Sequence, residues 1–352
     1  MSNADENVWA ESAVPATFHP PLAESIRTDV AVIGAGYCGL SAALHLAEAG
    51  VQAVVVDAHQ PGWGASGRNG GQVIPGFKYD PDELEAMFGS ERGGRIWRFG
   101  AGTADCVFDL IARHRMDVTT RRAGWVQGIH SEKAAVRGRR RAEQWQRRGA
   151  DVEYLDAAAT AEILGTELYR GSVIDRRGGA LHPLSYVREL ARVAGLCGAR
   201  IFGETIAARL ERRETGWQIH CHNGASVQAD RVLICTNAYS DTLVPGLSNS
   251  IIAANSLQVA TEPLPDEWRA RIMPRGEVLS DTRKVIRYWR LDDRGRLLMG
   301  GRGPYREPDG EADWATSRRG YRSDLSHAGA AAMHAPLGRT RRHPHRFHAA
   351  PA

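Results

Sequence analysis

The stretch Asp29-Val-Ala-Val-Ile-Gly34-Ala35-Gly36-Tyr37-Cys38-Gly39-Leu-Ser-Ala-Ala-Leu-His-Leu-Ala-Glu-Ala-Gly50-Val-Gln-Ala-Val-Val-Val-Asp57 decides the fold. Its first six residues read as a short buried strand, and residues 40–49 as a small-residue helix that Gly50 stops. Residues 51–57 form a second apolar strand, so a βαβ unit closes within about 30 residues. Between strand and helix, Gly34 permits the tight turn, Gly36 lets the backbone approach a pyrophosphate, and Gly39 lets helix and strand pack closely. The helix N-terminus around Ala35, Tyr37 and Cys38 offers N–H groups and partial positive charge to phosphates. Asp57 ends the second strand, 18 residues past Gly39, where a carboxylate accepts hydrogen bonds from ribose hydroxyls and disfavours a 2′-phosphate. Dinucleotide binding follows, with NADP disfavoured.

Working outward, Gly62-Trp-Gly-Ala-Ser66-Gly67-Arg68-Asn69-Gly70-Gly71-Gln72 comes directly after the second strand. Five glycines so close together let the backbone pass near a bulky planar ligand while Ser66, Arg68 and Asn69 donate hydrogen bonds. This segment favours FAD over NAD. Residues 82–164 read as mainly helical, with a strand near 125–129. A helix over 186–198 follows His182-Pro183, and strands follow at 200–202, 206–210, 217–220, 231–235, 256–261, 284–291 and 296–300. Residues 1–27, with Pro15, Pro20 and Pro21, read as an extended arm, and order is expected to start near Asp29.

Composition excludes several classes. Residues 318–352 carry seven Arg against one Asp, so the formal charge of +4 becomes −2 over residues 1–317 and the body offers no nucleic-acid surface. The five cysteines, Cys38, Cys106, Cys197, Cys221 and Cys235, contain no CxxC pair, which speaks against a zinc site or disulfide framework and fits a reducing cytoplasm. No apolar run is long enough for a membrane span, and the first 28 residues lack a signal-peptide pattern. Tail histidines His327, His334, His343, His345 and His348 include a His-x-His, read as part of a disordered tail rather than as a metal site. No metal is expected. His182 reads as a structural residue at a helix entrance, and Lys284 as a solvated lysine.

Residues 29–50 and 64–72 together resemble the D-amino acid oxidase superfamily of flavoproteins, within it the gamma-glutamylputrescine oxidase-like branch related to glycine and sarcosine oxidases. Further matches lie at residues 229–239, 280–290 and 297–302, and the likeness runs over about residues 26–308. The resemblance implies an α/β, Rossmann-type FAD-binding domain built from residues 28–80 plus 176–240. A discontinuous α+β substrate domain with an antiparallel sheet is implied over residues 81–175 plus 241–308. Gly34, Gly36, Gly39 and Asp57 would hold the ADP half of FAD, and residues 66–72 would lie against the pyrophosphate and isoalloxazine. Glu204, Thr205 and Ile206 would sit near the adenine, Thr236 and Asn237 would close the other side, and Tyr288 and Arg290 would floor the substrate pocket.

The implied chemistry is hydride transfer from the carbon next to a neutral amine to flavin N5, then hydrolysis of the imine, with O2 or another acceptor reoxidising the flavin. No obligatory catalytic acid or base need appear in the sequence. The substrate is expected to be a polyamine derivative, with glycine, sarcosine or a D-amino acid as the alternative. After Pro308 the chain turns Arg-, His- and Ala-rich. Residues 309–352 are therefore expected to be a low-complexity, disordered tail, in which the family's Trp-x-Gly-Arg pattern and flavin-facing helix are truncated or frameshifted. A catalytically impaired flavoprotein remnant is the third reading.

Overall fold

The computed structural model describes residues 8–305 together with the strand Pro344–His348. A six-stranded sheet holds the dinucleotide unit. Strands Ser226–Ile234, Ile26–Ile33, Ala53–Val56 and Arg200–Phe202 lie side by side in that order and run parallel, and Trp217–Cys221 and Ala207–Arg212 extend it as an antiparallel meander. Strand Ile26–Ile33 shows why the apolar run needs no alternation. Val30 and Val32 face the helices Tyr37–Glu48 and Pro183–Leu196 through Leu40, Leu44, Val187 and Leu190. Ala31 and Ile33 cluster on the other side with Leu22, Val54, Val56 and Ile219 of the meander. Both faces are covered, as a parallel sheet requires.

The second sheet has eight strands, in the order Pro344–His348, Ala253–Pro263, Arg296–Arg302, Tyr288–Leu291, Val278–Asp281, Trp125–Gly128, Gly171–Asp175, Val152–Asp156. Its pairs are antiparallel except Val278–Asp281 with Trp125–Gly128. Leu257, Val259, Leu279, Trp289, Leu297 and Met299 build its core. A three-stranded sheet of Gln72–Val73, Gly179–Leu181 and Thr120–Arg121 joins the glycine segment to both larger layers.

Several elements differ from expectation. Val152–Asp156 and Gly171–Asp175 are strands inside or beside the stretch read as helical: each is only five residues long, and Gly171–Asp175 is buried along its whole length and so shows no alternation. Residues 284–287 turn instead of extending, since the Asp281 carboxylate accepts the backbone N–H groups of Arg283 and Arg287 and folds the loop over itself. Order begins well before Asp29: Trp9 is fully buried in the core between the dinucleotide helices. Most of residues 309–352, and with them the expectation of a disordered tail without a metal site, lies outside the described residues. Within that span Pro344–His348 pairs with Ala253–Pro263.

Candidate functional site

At the carboxyl edge of the parallel sheet the chain leaves strand Ile26–Ile33 toward Ala53–Val56 on one side and meets Ser226–Ile234 on the other. Such a switch point opens a crevice. A cleft of about 450 Å³ lies there, lined by residues 33–36, 56–59, 62–66, 205–207, 234–237 and part of 239–247.

The cleft floor is made by what glycine leaves out. Gly34 adopts φ +111°, and a Cβ on it would stand 2.6 Å from the Cys235 carbonyl oxygen. A Cβ on Gly39 would lie 1.9 Å from the Gly34 carbonyl oxygen, so helix and turn touch backbone to backbone. Gly36 is the N-cap of helix Tyr37–Glu48 and provides no side-chain cap; instead the Tyr37 N–H donates to Ser66 Oγ at 3.0 Å. The helix therefore presents its positive end to the cleft.

Asp57 sits opposite. Its Oδ2 accepts the Ala35 N–H at 2.6 Å and its Oδ1 the His59 N–H at 2.8 Å. Burial raises its carboxyl above the ordinary aspartate range against the pull of those two N–H groups. Each oxygen keeps a further lone pair for a hydroxyl donor. Thr205 contributes backbone only. Its N–H donates to the Asp57 carbonyl at 2.7 Å, while its hydroxyl donates to the Gly203 carbonyl and accepts the Leu22 N–H. Ile206 lies exposed on the cleft wall. Asn237 holds a left-handed φ of 51°, with its Oδ1 accepting the Ala238 N–H, and Thr236 Oγ1 lies 2.6 Å from Ser240 Oγ.

Of the residues read from sequence, Gly34, Ala35, Gly36, Asp57, Ser66, Thr205, Ile206, Thr236 and Asn237 line this cleft. Tyr37, Cys38, Gly39 and residues 67–72 do not. Their side chains act on the protein itself. Asn69 Nδ2 donates to the Ser66 carbonyl at 2.8 Å and to the Tyr37 hydroxyl at 3.1 Å, and its Oδ1 accepts the Gly71 N–H. Arg68 is buried with Nε donating to the Trp63 carbonyl at 2.6 Å, and Gln72 Nε2 donates to the Leu279 carbonyl at 2.9 Å. Arg68 and Asn69 thus shape the loop, whereas the sequence pointed to them as donors to a ligand. His59 and Trp63, stacked at 3.8 Å, form a cleft wall that the sequence reading missed. Trp63 inside the glycine segment was the available signal.

Tyr288 and Arg290 lie on one strand. Arg290 is buried, donating from Nε to the Gly70 carbonyl at 2.6 Å and from Nη2 to the Leu181 carbonyl at 3.0 Å. Burial pulls its pKa down to about 10, so it stays a cation at neutral pH and holds the glycine segment by two carbonyls. The Tyr288 ring covers Gly300, where a Cβ would come within 2.0 Å of it. Ser256 Oγ donates to the Gly301 carbonyl at 2.9 Å and therefore accepts from the Tyr288 hydroxyl at 2.8 Å. The Tyr288 oxygen is left to accept from Gln258 Nε2 at 3.3 Å. That direction fixes the amide, and Gln258 Oε1 is a buried acceptor without a partner.

The site suits a dinucleotide: a cradle that any Cβ would fill, a helix N-terminus, and a carboxylate with free lone pairs. Lys284 is exposed, and among the described residues no group of His, Cys, Asp and Glu is arranged to hold a metal ion. Among the described residues no helix is long and apolar enough to cross a membrane.

The chain is 32% identical over 313 residues, 88% of its own length and 73% of the relative's, to gamma-glutamylputrescine oxidoreductase of Escherichia coli. It is 33% identical over 300 residues to the probable oxidoreductase OrdL of Rhizobium meliloti, covering 84% of this chain and 69% of that one. Its fold superposes on glycine oxidase from Geobacillus kaustophilus with a TM-score of 0.71 at 16% identity, over 92% of this chain and 83% of that one. L-proline dehydrogenase from P. horikoshii gives 0.73 at 15% identity, over 92% and 82%. The family described as FAD dependent oxidoreductase matches residues 29–342, beyond residue 308, the expected end of the resemblance. The chain belongs to that D-amino acid oxidase-type family and is an FAD-dependent oxidoreductase.

Proposed function

We propose that this protein oxidises a C–N bond of a small primary or secondary amine of the gamma-glutamylputrescine type. The observation that carries the reading is the identity to a relative of that name across most of both chains, combined with a dinucleotide cleft complete in its backbone parts. We read residues 28–80 plus 176–240 as the cofactor-binding part and residues 81–175 plus 241–308 as the substrate part.

When bound, FAD supplies the acceptor for the hydride leaving the substrate carbon. The chain's own residues do the rest. Asp57 would take the ribose hydroxyls, and the glycine turn at Gly34 to Gly36 with the helix N-terminus behind it would hold the pyrophosphate. Thr205, Ile206, Thr236 and Asn237 flank the nucleotide. Residues 66–72, held by Asn69 and by Arg290, would support the reacting ring. Tyr288 and Gln258 would bound the substrate side, where they would help orient the amine. O2 is the proposed acceptor for the second half-reaction.

The test is twofold. Purified protein should carry a blue-region flavin absorbance, and it should release hydrogen peroxide with polyamine derivatives faster than with glycine, sarcosine or D-amino acids. A yellow protein turning over only amino acids would overturn the substrate while leaving the cofactor.

A further inference from the structure

Cys38 and Cys235 meet beside the glycine turn. Cys38 is exposed, in the first turn of helix Tyr37–Glu48, and Cys235 is half-buried just past strand Ser226–Ile234. Their sulfur atoms are 3.6 Å apart. Backbone fixes this approach: the Cys235 N–H donates to the Ile33 carbonyl at 2.8 Å, and the Cys235 carbonyl packs on Gly34, leaving the helix to start directly beside it. Cys106, Cys197 and Cys221 make no sulfur–sulfur contact among the described residues. Cys235 also lines the cleft.

We propose that Cys38 and Cys235 form a reversible disulfide under hydrogen peroxide, tying the start of helix Tyr37–Glu48 to the cleft-lining chain just past strand Ser226–Ile234. Closing from 3.6 Å to a bond of about 2.05 Å asks each sulfur to move by less than about 1 Å, which side-chain torsions supply. Cys38, facing solvent, meets the peroxide first. Its sulfur attacks one peroxide oxygen, the O–O bond breaks, and a sulfenic acid and one water result. The Cys235 sulfur then attacks the Cys38 sulfur. The S–S bond forms, the S–O bond breaks, and the hydroxyl leaves with the Cys235 proton as a second water. Two thiols lose two electrons in all and one peroxide gains them. Burial pushes the Cys235 thiol up to about 12, so at neutral pH it stays a thiol and the exposed Cys38 is the sulfur oxidised first.

The experiment adds hydrogen peroxide to the purified full chain and counts thiols after denaturation, with non-reducing digestion and mass spectrometry. The five thiols should fall by two, one linked peptide pair should contain Cys38 and Cys235, and dithiothreitol should restore all five. Cys38→Ser should lose none, and Cys235→Ser should leave a sulfenic acid at Cys38 that dimedone captures. An unchanged count, a link through other cysteines, or loss that dithiothreitol does not reverse overturns the proposal. Because the peroxide is added directly, the result is independent of the electron acceptor proposed above.

Discussion

Asp57 already accepts two backbone N–H groups, so the ribose contact proposed for it would be an addition to a structural role. Replacing it by Ala removes the cleft's acceptor and frees the Ala35 and His59 N–H groups. FAD should bind about 10- to 100-fold more weakly, roughly 1.4 to 2.8 kcal/mol. Flavin-fluorescence titration checks this, and an unchanged Kd would remove Asp57 from the site. Gln258 makes the opposite bargain, because a buried unpartnered oxygen costs the fold about 1 to 3 kcal/mol. Gln258→Met should leave the melting temperature equal or higher while kcat/KM falls at least about 10-fold, roughly 1.4 kcal/mol of lost transition-state binding. A variant that keeps both would make Gln258 a bystander. At this scale the glycines and Asp57 were legible, because their spacing is dictated by backbone geometry. The inward use of Arg68, Asn69 and Gln72 was not, since the carbonyls they bind at Trp63, Ser66 and Leu279 lie in a folded loop or a distant strand.

The helix Pro183–Leu196 shows an element depending on a titrating cap. His182 is its N-cap, with Nδ1 accepting the Ser185 N–H at 3.1 Å and Nε2 within 3.2 Å of Ser12 Oγ. Such a cap needs a neutral ring. Burial pulls the His182 pKa down to about 4 from 6.5. With the folded value below the unfolded one, acid protons bind the unfolded chain first. Stability is therefore full above about pH 6.5 and is lost as pH falls toward 4, by about 3 kcal/mol at most. His182→Asn keeps a capping acceptor but cannot titrate, so its denaturation midpoint should vary less with pH over that window. Equal pH dependence in both proteins would refute the assignment. His182-Pro183 was readable as a helix entrance because proline at the first position fixes it. The strand Val152–Asp156 was not readable, since its partner Gly171–Asp175 supplies the pairing.

The N-terminal arm connects layers that the sequence kept apart. Trp9, fully buried, donates its indole N–H to the Asn69 carbonyl at 3.1 Å, and the Arg290 guanidinium lies 5.0 Å from its ring centre. Glu11 reaches Arg294 and Arg296, each at 3.3 Å, on the hairpin of the eight-stranded sheet. One short segment thus braces the glycine loop against the eight-stranded sheet, and a three-residue apolar run, Val8-Trp9-Ala10, is too short to announce it. Trp9→Ala should cost about 3 to 5 kcal/mol, whereas Trp9→Phe, which keeps most of the packing and loses the hydrogen bond, should cost about 1 to 2. Urea denaturation ranks the two. If the brace also sets the loop, Trp9→Ala should lose bound flavin on gel filtration under conditions where it remains folded, and Trp9→Phe should retain most of it. Full flavin retention in a folded Trp9→Ala protein would confine the arm to stability and leave the loop to Arg290 and Asn69 alone.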